Sequence, residues 1–244
     1  DRLPRFRRRF VVMNAMVQHS SGLLGSAEDI DALAASESAA VLVVSDTHGH
    51  YEVLESVIRE FGPACSALLF TGDGMWDIVQ YIENSQESEK LRAAMPPVVA
   101  FVAGNGDGDQ YRVSLPPVGD ADDNPGYSLS VPSRQIVRAA GYTIFVAHGH
   151  RHSVDVSLDI LVDSAHAMNC DIAVYGHTHV SMAEQFSHIL ALNPGSLSRP
   201  RGHSLAGFAL MELDAISTEP RVSFYSAATG GVRGNFKFEE ILPA

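Results

Sequence analysis

Short apolar runs alternate with longer amphipathic segments along the first part of the chain. The apolar runs at residues 40–44, 67–70 and 98–102 have the length of buried strands, and segments 53–61 and 75–91 carry apolar residues at helical spacing. Strands that alternate with helices are typical of a largely parallel sheet. The pattern therefore predicts consecutive βαβ units in this part of the molecule.

The rest of the chain has a different rhythm. Two runs at 135–138 and 142–147 flank Gly141 as a hairpin would, and we expect a helix at 154–167 before a strand at 172–175. A parallel first part and an antiparallel second part predict an α/β fold, with two mixed β-sheets packed face to face and flanked by helices in a single domain. The last predicted strands lie at 182–186, 189–192, 208–213 and 221–225.

Two segments depart from this rhythm. Residues 1–38 open with arginines and continue with a short, interrupted apolar run, so we expect a flexible or loosely docked leader rather than a signal peptide. A short helix is expected at 28–38, with Ser26 as its N-cap. The acidic stretch 119–126 predicts an exposed loop within the domain, which we place at 39–244.

Charge and cysteine content narrow the classes of function. The chain has 17 Lys and Arg against 29 Asp and Glu, a net charge of −12, which disfavours nucleic-acid binding because phosphates require a basic face. Cys65 and Cys170 lack metal-binding spacing, so we expect reduced thiols in a cytoplasmic protein. No apolar stretch reaches the ~18–20 residues that a membrane-spanning helix needs.

Polar motifs rich in aspartate and histidine follow five of the predicted strands. Because ligands bind outside the carboxyl ends of strands in open α/β sheets, we expect these motifs to converge. Their carboxylate, amide and imidazole groups are metal ligands, so the series predicts a two-metal site. The motifs are Asp46-Thr47-His48, Gly72-Asp73, Gly104-Asn105-Gly106-Asp107, His148-Gly149-His150 and Gly176-His177-Thr178-His179.

Spacing within the motifs predicts which side chains point the same way. Asp46 and His48 alternate along what we expect to be an extended strand end, as do His177 and His179, and such residues share a side. Asp73 has two carboxylate oxygens and could bridge two cations. Mixed imidazole and carboxylate ligands favour Mn, Fe, Zn, Co or Ni, whereas so many histidines disfavour Ca and Mg.

The ordered series of motifs resembles the calcineurin-like metallophosphoesterases. More narrowly, it resembles their small bacterial and archaeal phosphodiesterase branch, which also contains the retromer scaffold subunit. The resemblance covers residues 41–225 and implies a four-layer α/β/β/α sandwich that binds two divalent transition-metal ions, with Mn preferred. It also implies two ligand sets that share Asp73. The first set is Asp46, His48, Asp73 and His179, and the second is Asp73, Asn105, His148 and His177.

The implied reaction is hydrolysis of a small phosphodiester by a hydroxide that two metal ions activate. Many family members carry a histidine directly after the motif asparagine that is proposed to protonate the leaving group, and this chain has Gly106 there. Either another side chain supplies the proton, with His50 one candidate, or the leaving group needs none. The residues expected to act in catalysis are Asp73, Asn105, His148, Asp107 and His150.

Four features near the motifs have structural interpretations beside functional ones. Asp107 could instead accept hydrogen bonds from the backbone of its turn, and Asp77 is interpreted as a charge at the start of a helix. Trp76 is expected in the core rather than in the substrate cleft. The turn 193–196 is expected to contact substrate, to brace the metal loops, or to be an ordinary turn.

Two other functions remain open from the sequence. A non-catalytic interaction scaffold on the same fold need not keep every ligand, whereas all seven positions here hold competent residues. A phosphomonoesterase would need basic residues for the extra phosphate charge, and Arg199 and Arg201 are the candidates. The composition is compatible with a homo-oligomer, and no membrane partner is expected.

Overall fold

The computed structural model describes residues 13–116, 126–217, 219–229 and 236–244. The helices in these residues are α1 (Ala27–Ala34), α2 (Tyr51–Phe61), α3 (Met75–Glu87), α4 (Glu89–Ala94) and α5 (Asp159–Ala167). The strands are β1 (Ser38–Val44), β2 (Ala67–Phe70), β3 (Val98–Phe101), β4 (Gln110–Ser114), β5 (Gly126–Ser130), β6 (Arg134–Ala139), β7 (Tyr142–Ala147), β8 (Ile172–Val174), β9 (Ser181–Phe186), β10 (Ile189–Pro194), β11 (Gly207–Asp214), β12 (Arg221–Thr229) and β13 (Phe236–Ile241).

A six-stranded mixed sheet carries the first three motifs. Its strand order is β13-β12-β11-β1-β2-β3, with β1, β2 and β3 parallel, as the βαβ pattern predicts. The late strands β11, β12 and β13 extend this sheet, each antiparallel to its neighbour. The chain therefore does not divide into an early parallel sheet and a late antiparallel one, because β11 pairs with the edge that β1 leaves open.

The second sheet is also mixed and carries the last two motifs. Its five strands have the order β6-β7-β8-β10-β9, with β7, β8 and β10 parallel and both outer strands antiparallel. The strands β4 and β5, which lie between β3 and β6 in sequence, form a separate two-stranded antiparallel sheet. The prediction of two mixed sheets in one domain is confirmed.

Three apolar clusters separate four layers. One cluster fills the space between the sheets, where Val43 and Leu69 of the first sheet pack with Val146 of the second. Alternate residues of the first sheet face outward and pack against α2 and α3. On the outer face of the second sheet, Leu161 and Ala165 of α5 cover its apolar side chains. This is the α/β/β/α arrangement that the resemblance implies.

Residues 13–37 differ from the loosely docked leader expected for 1–38. Leu24 is fully buried and exchanges two backbone hydrogen bonds of 2.8 Å with Val99 next to the first sheet. The short helix α1 follows, and the side chain of Ser26 caps it as predicted. Packing therefore begins well before the expected domain boundary, since this segment buries apolar side chains against β3. Earlier residues lie outside the described part of the chain.

Some element boundaries also differ from the prediction. The helix expected at 75–91 is interrupted at Ser88, whose hydroxyl caps α4. Helix α5 begins at Asp159, five residues later than expected. The strands β4, β5 and β13 were not predicted. The predicted acidic loop 119–126 lies outside the described residues apart from Gly126, which opens β5.

Both cysteines are free thiols in the interior. Burial raises the pKa of Cys65 to about 12 and the pKa of Cys170 to about 11. Neither thiol is therefore ionised near neutral pH. Among the described helices, none is both long and apolar enough to cross a membrane.

Candidate metal centre

The predicted ligands lie on loops that follow their strands, but the local backbone is not the extended strand end that we expected. Five of the seven ligands have positive φ angles, between 46° and 68°. This left-handed conformation is uncommon for residues other than glycine, and such residues cluster at functional sites. The side chains converge because tight turns direct them, rather than because they alternate along a strand. These residues are Asp46, His48, Asp73, His177 and His179.

Asp46, His48 and His179 form a first group. The Nε2 atoms of the two histidines lie 3.2 Å apart. Asp46 Oδ1 lies 3.0 Å from His179 Nε2 and 3.8 Å from His48 Nε2. This oxygen is buried and accepts no well-oriented hydrogen bond. Two imidazole nitrogens and one buried carboxylate oxygen thus face a common point, which is a donor set for a cation.

The ligands of the first group are fixed by further hydrogen bonds. His179 Nδ1 donates to the carbonyl of Arg199 at 2.6 Å, which directs its Nε2 at the group. The second carboxylate oxygen of Asp46 accepts hydrogen bonds from the hydroxyl of Ser45 and from the backbone N–H of His177. The orientation of both ligands is therefore set by neighbouring main chain and by a buried hydroxyl.

The turn 193–196 braces the loops of this group. The buried hydroxyl of Ser196 donates to the carbonyl oxygen of Asp46 at 2.7 Å. Asn193 Nδ2 donates to the carbonyl of Gly176 at 2.9 Å and to the hydroxyl of Thr178 at 3.0 Å. These contacts agree with the bracing role, which was one of the interpretations from sequence.

The charges within the first group are coupled. Burial opposes ionisation of Asp46, but contacts with His179 and the nearby His148 lower its pKa below the usual 3.8. Burial also opposes protonation of His179, but Asp46 raises the pKa of this histidine above 6.5. For His48 burial dominates and lowers the pKa. A cation bound here would compete with protonation of His179, because a metal-binding imidazole nitrogen must be deprotonated.

Asp73, Asn105 and His148 form a second group. His148 Nε2 lies 3.2 Å from Asn105 Oδ1 and 3.6 Å from Asp73 Oδ2. His148 Nδ1 donates to the carbonyl of Thr71 at 2.6 Å, which directs Nε2 at these oxygens. Ligand atoms of Asp46, Asp73 and His148 all lie within 4.8 Å of one another. Asp73 therefore lies next to both groups, as a bridging ligand must.

His177 stands at the margin of the second group. Its ring centroid lies 5.2 Å from that of His148, but its Nε2 lies 2.7 Å from Asp155 Oδ2. Its Nδ1 is the nitrogen left to bind an ion. The structure thus brings six of the seven predicted ligands into two groups and places the seventh beside them.

These groups fit divalent transition-metal ions. Oxygen and imidazole donors in combination suit Mn, Fe, Zn, Co or Ni. Two buried carboxylates, Asp46 and Asp73, lie close together, and in the described part of the chain neither forms an ion pair with Lys or Arg. Like charges in the interior are costly unless a cation offsets them. The donor set therefore favours metal ions at this position.

Asp107 holds the turn that carries Asp73. Its Oδ1 accepts backbone hydrogen bonds from Gly74 at 3.1 Å and Met75 at 2.9 Å. Its Oδ2 accepts them from Asp73 at 2.6 Å and Gly104 at 3.0 Å. Both oxygens are occupied by backbone donors, so Asp107 positions the loop and is not placed to protonate a leaving group. The structural interpretation of this residue replaces the catalytic one.

The other candidate proton donors are also unsuitable, because of either their position or their lowered pKa. The ring of His150 lies 5.3 Å from that of His148, but burial and then the charge of His148 lower the pKa of His150. A neutral imidazole donates a proton weakly. His50 is exposed, and its Nδ1 contacts the carbonyl of Thr47. Gly106 supplies only a backbone N–H, which donates to Asp73 Oδ1 at 2.7 Å.

Asp77 lies in the first turn of α3, as predicted, and has a further role, whereas the interpretation of Trp76 was wrong. Asp77 is buried and accepts hydrogen bonds from the Thr47 hydroxyl at 2.5 Å and the Gly49 N–H at 3.0 Å, so it braces the His48 loop. Trp76 is not in the core, because 65% of its surface is exposed and its ring packs edge-on against Tyr111. Neither role could be predicted from the sequence, because the residues that Asp77 and Trp76 contact are distant from them along the chain.

A cleft of about 370 Å³ opens over the two groups. Arg199 and Arg201 are exposed on its wall and form no ion pair with the described residues. The backbone of both residues is bound to His179, which keeps them at the site. The cleft is lined by His48, Asp73, Asn105, His177, His179, Arg199, Pro200 and Arg201.

Residues 40–215 match the family model of the calcineurin-like phosphoesterase superfamily domain. The chain is 26% identical over 188 residues to the probable metallophosphoesterase YsnB of Bacillus subtilis (strain 168), covering 77% of this chain and 91% of that protein. It is also 26% identical over 183 residues to the phosphodiesterase YfcE of Escherichia coli (strain K12), covering 72% of this chain and 89% of that protein.

Solved structures show the same fold. A conserved protein of Streptococcus pneumoniae TIGR4, described as a predicted phosphoesterase, superposes with a TM-score of 0.56 at 24% identity, covering 85% of this chain and all of that one. Vps29 of Entamoeba histolytica in complex with Zn²⁺ superposes with a TM-score of 0.53 at 19% identity, covering 83% of this chain and 98% of that one. Since the family model spans most of the chain and includes every motif of the site, the protein belongs to the calcineurin-like phosphoesterase superfamily.

Proposed function

We propose that the protein is a cytoplasmic, metal-dependent phosphodiesterase that hydrolyses small phosphodiesters with two divalent transition-metal ions. Mn²⁺ is the ion that we expect first. The observation that carries the proposal is the convergence of two donor groups, with Asp73 next to both, at the base of a cleft. The relative named a phosphodiesterase supports the reaction class. The buried, unpaired thiols support a reducing compartment.

The protein would contribute ligands and orientation to this reaction. Two bound ions would supply an acidified water as nucleophile and offset the negative charge on the phosphoryl oxygens. Asp73 would bridge the ions, and Asp107 would hold it in place through the backbone of its turn. The exposed amide of Asn105 lies on the cleft wall, where it can orient a phosphoryl oxygen. The remaining ligands would be Asp46, His48 and His179 for one ion, and Asn105, His148 and His177 for the other.

The glycine at position 106 affects which substrates we expect, because it cannot protonate a leaving group. Asp107 is bound to four backbone N–H groups, and the pKa of His150 is lowered, so neither is a good proton donor. General-acid assistance is typically worth about 10²–10⁴-fold in rate. We therefore expect modest turnover and a preference for diesters with good leaving groups. Efficient hydrolysis of alkyl phosphate monoesters would contradict this expectation.

A scaffold function is the main alternative. Structures of Vps29 share the fold at 18–21% identity, a level that supports the fold alone. The orientation of His148 and His179 by carbonyl groups favours metal binding, because an unused imidazole needs no fixed tautomer. A phosphomonoesterase is favoured only by Arg199 and Arg201, which line the cleft and could bind the extra phosphate charge.

Hydrolysis assays on the intact protein test the proposal. The protein is stripped with a chelator, then assayed with a chromogenic phosphodiester and the corresponding monoester before and after Mn²⁺ is added back. We expect diester cleavage that depends on Mn²⁺ and exceeds monoester cleavage. The variant Asp73→Asn should be inactive, and Asp31→Asn on the exposed face of α1 should behave as wild type.

Two outcomes would redirect the proposal. Cleavage of the monoester at a higher kcat/KM than the diester would favour the phosphomonoesterase, and Arg199→Gln should then lower that rate. A folded protein that binds two ions but cleaves neither ester with Mn²⁺, Zn²⁺ or Co²⁺ would favour the scaffold.

A further inference from the structure

The histidines of the site are oriented by two different devices. His148 and His179 each donate from Nδ1 to a backbone carbonyl at 2.6 Å, and each presents Nε2 to the site. His177 is reversed, because its Nε2 lies 2.7 Å from the carboxylate oxygen of Asp155. Its partner is thus a charged side chain instead of main chain, and 56% of that side chain is exposed.

The position of Asp155 is set by its loop despite this exposure. The preceding Val154 is buried and packs directly over Gly149, where an added Cβ would come within 2.8 Å of it. On the other side, the N–H of Val156 donates to the carbonyl of Ser153 at 2.9 Å, and Ser153 has a positive φ of 53°. This tight turn holds the carboxylate toward His177.

A carboxylate in this position determines which nitrogen of His177 can bind a metal ion. A neutral imidazole carries one N–H, and a carboxylate accepts a hydrogen bond but cannot donate one when ionised. The N–H is therefore held on Nε2, which leaves the lone pair on Nδ1. A charged acceptor also makes the imidazole a stronger ligand than a carbonyl would.

We propose that Asp155 is a positioning residue that holds His177 in the tautomer with a free Nδ1, and so sets the affinity of the second group for its metal ion. The inference rests on the proposed function only in assuming that His177 is a ligand, and it concerns metal binding rather than turnover. Because the carboxylate is exposed, water screens this contact, whereas the contact between His148 Nδ1 and the carbonyl of Thr71 is buried. The ion of the second group is accordingly the one that is bound more weakly.

The test is titration of metal-free protein with Mn²⁺ by calorimetry, which needs no substrate. Wild type should bind two ions with different affinities. Asp155→Ala should weaken the weaker site by about 10–100-fold and leave the tighter site unchanged. Asp155→Glu should recover part of the loss, because it restores a carboxylate. Asp163→Ala, which removes an exposed carboxylate from the following helix, should match wild type.

Two further measurements keep the test decisive. Thermal unfolding of metal-free Asp155→Ala should match wild type, since exposed ion pairs contribute little to stability. In Co²⁺-loaded protein, the substitution Asp155→Ala should change the absorption bands of only one of the two Co²⁺ ions. Unchanged affinity in Asp155→Ala would overturn the proposal. Tighter binding would also overturn it and would show that Asp155 competes with metal for Nε2, and binding of a single ion by wild type would remove the second site altogether.

These outcomes are separate from those of the proposed function. If wild type binds two ions but hydrolyses no diester, the proposed phosphodiesterase function is wrong. The effect of Asp155→Ala on metal affinity can still be measured, and it tests the role of Asp155 independently. If the diesterase is active but Asp155→Ala binds both ions like wild type, only the role of Asp155 is lost.

Discussion

The two groups of candidate metal ligands contain the same kinds of side chain but are supported very differently. In the first group Asp46 is fully buried, and its loop is braced by the buried side chains of Ser196 and Asp77. In the second group Asn105 is exposed, and His177 depends on the exposed carboxylate of Asp155. Because the supporting contacts differ in burial, we expect the two groups to bind metal ions with different affinities.

The largest effect is expected at the residue that the two groups share. Asp73→Asn keeps the size of the side chain but removes the charge that a bridging ligand needs, so both halves should weaken together. We expect kcat/KM for a chromogenic diester to fall by about 10³-fold or more. Metal content after dialysis, measured by mass spectrometry, should fall in the same variant. Retention of two ions with the wild-type rate would disprove the two-metal model.

Separate loss of one ion is expected when a ligand belongs to one group only. His179→Ala should empty the first group and His177→Ala the second, each leaving about one equivalent of metal after gel filtration with Mn²⁺. Activity should fall by roughly 10²-fold or more in both, because each ion offsets charge in the transition state. Loss of both ions in either variant would show that the groups are not independent.

A smaller effect is expected from the brace of the first group. Ser196→Ala removes a buried hydroxyl that donates to the carbonyl of Asp46 and accepts from the N–H of Arg199 at 2.9 Å. An unsatisfied buried group costs about 1–3 kcal/mol, so the free energy of unfolding in urea should fall by that amount. Mn²⁺ should bind more weakly to the first group alone. Ser198→Ala, which loses a longer 3.2 Å contact to the same carbonyl, serves as the milder comparison.

The smallest effect concerns Asp77, and it depends on pH. Burial raises the pKa of this carboxyl in the folded protein above its usual 3.8. Below that value both states are protonated; as the pH rises toward the raised pKa, the unfolded chain ionises first and stability is lost. Urea unfolding of metal-free protein should show this loss in wild type and not in Asp77→Asn. Parallel stability profiles for the two proteins above pH 4 would contradict the assignment.

The sequence predicts the layout of this molecule better than its local geometry. The βαβ rhythm and the position of each motif after a strand are visible in the pattern, because burial and strand length leave a periodic signal. The pairing of β11 with β1 leaves none, since it joins residues more than 160 positions apart. The left-handed turns at Asp46 and His179 are also hidden, because a positive φ is uncommon at any single non-glycine residue, even at Asp and His.

The motifs that hold the candidate ligands are visible in the sequence, but the residues that support them are not. Five different motifs of aspartate, asparagine and histidine each follow a predicted strand, and this placement identifies them. Ser196, Asp77 and Asp155 act through contacts with loops that are distant in sequence, so each resembles an ordinary polar residue. Asp107 shows the converse, because its place in a motif suggested catalysis and its hydrogen bonds show a structural role.

Anomalous diffraction from a crystal grown with Mn²⁺ would test the central claim most directly. The account predicts two peaks about 3.5–4 Å apart, with the carboxylate of Asp73 between them and His177 bound through Nδ1. Bound Mn²⁺ in a single peak, or two peaks that Asp73 does not bridge, would contradict it.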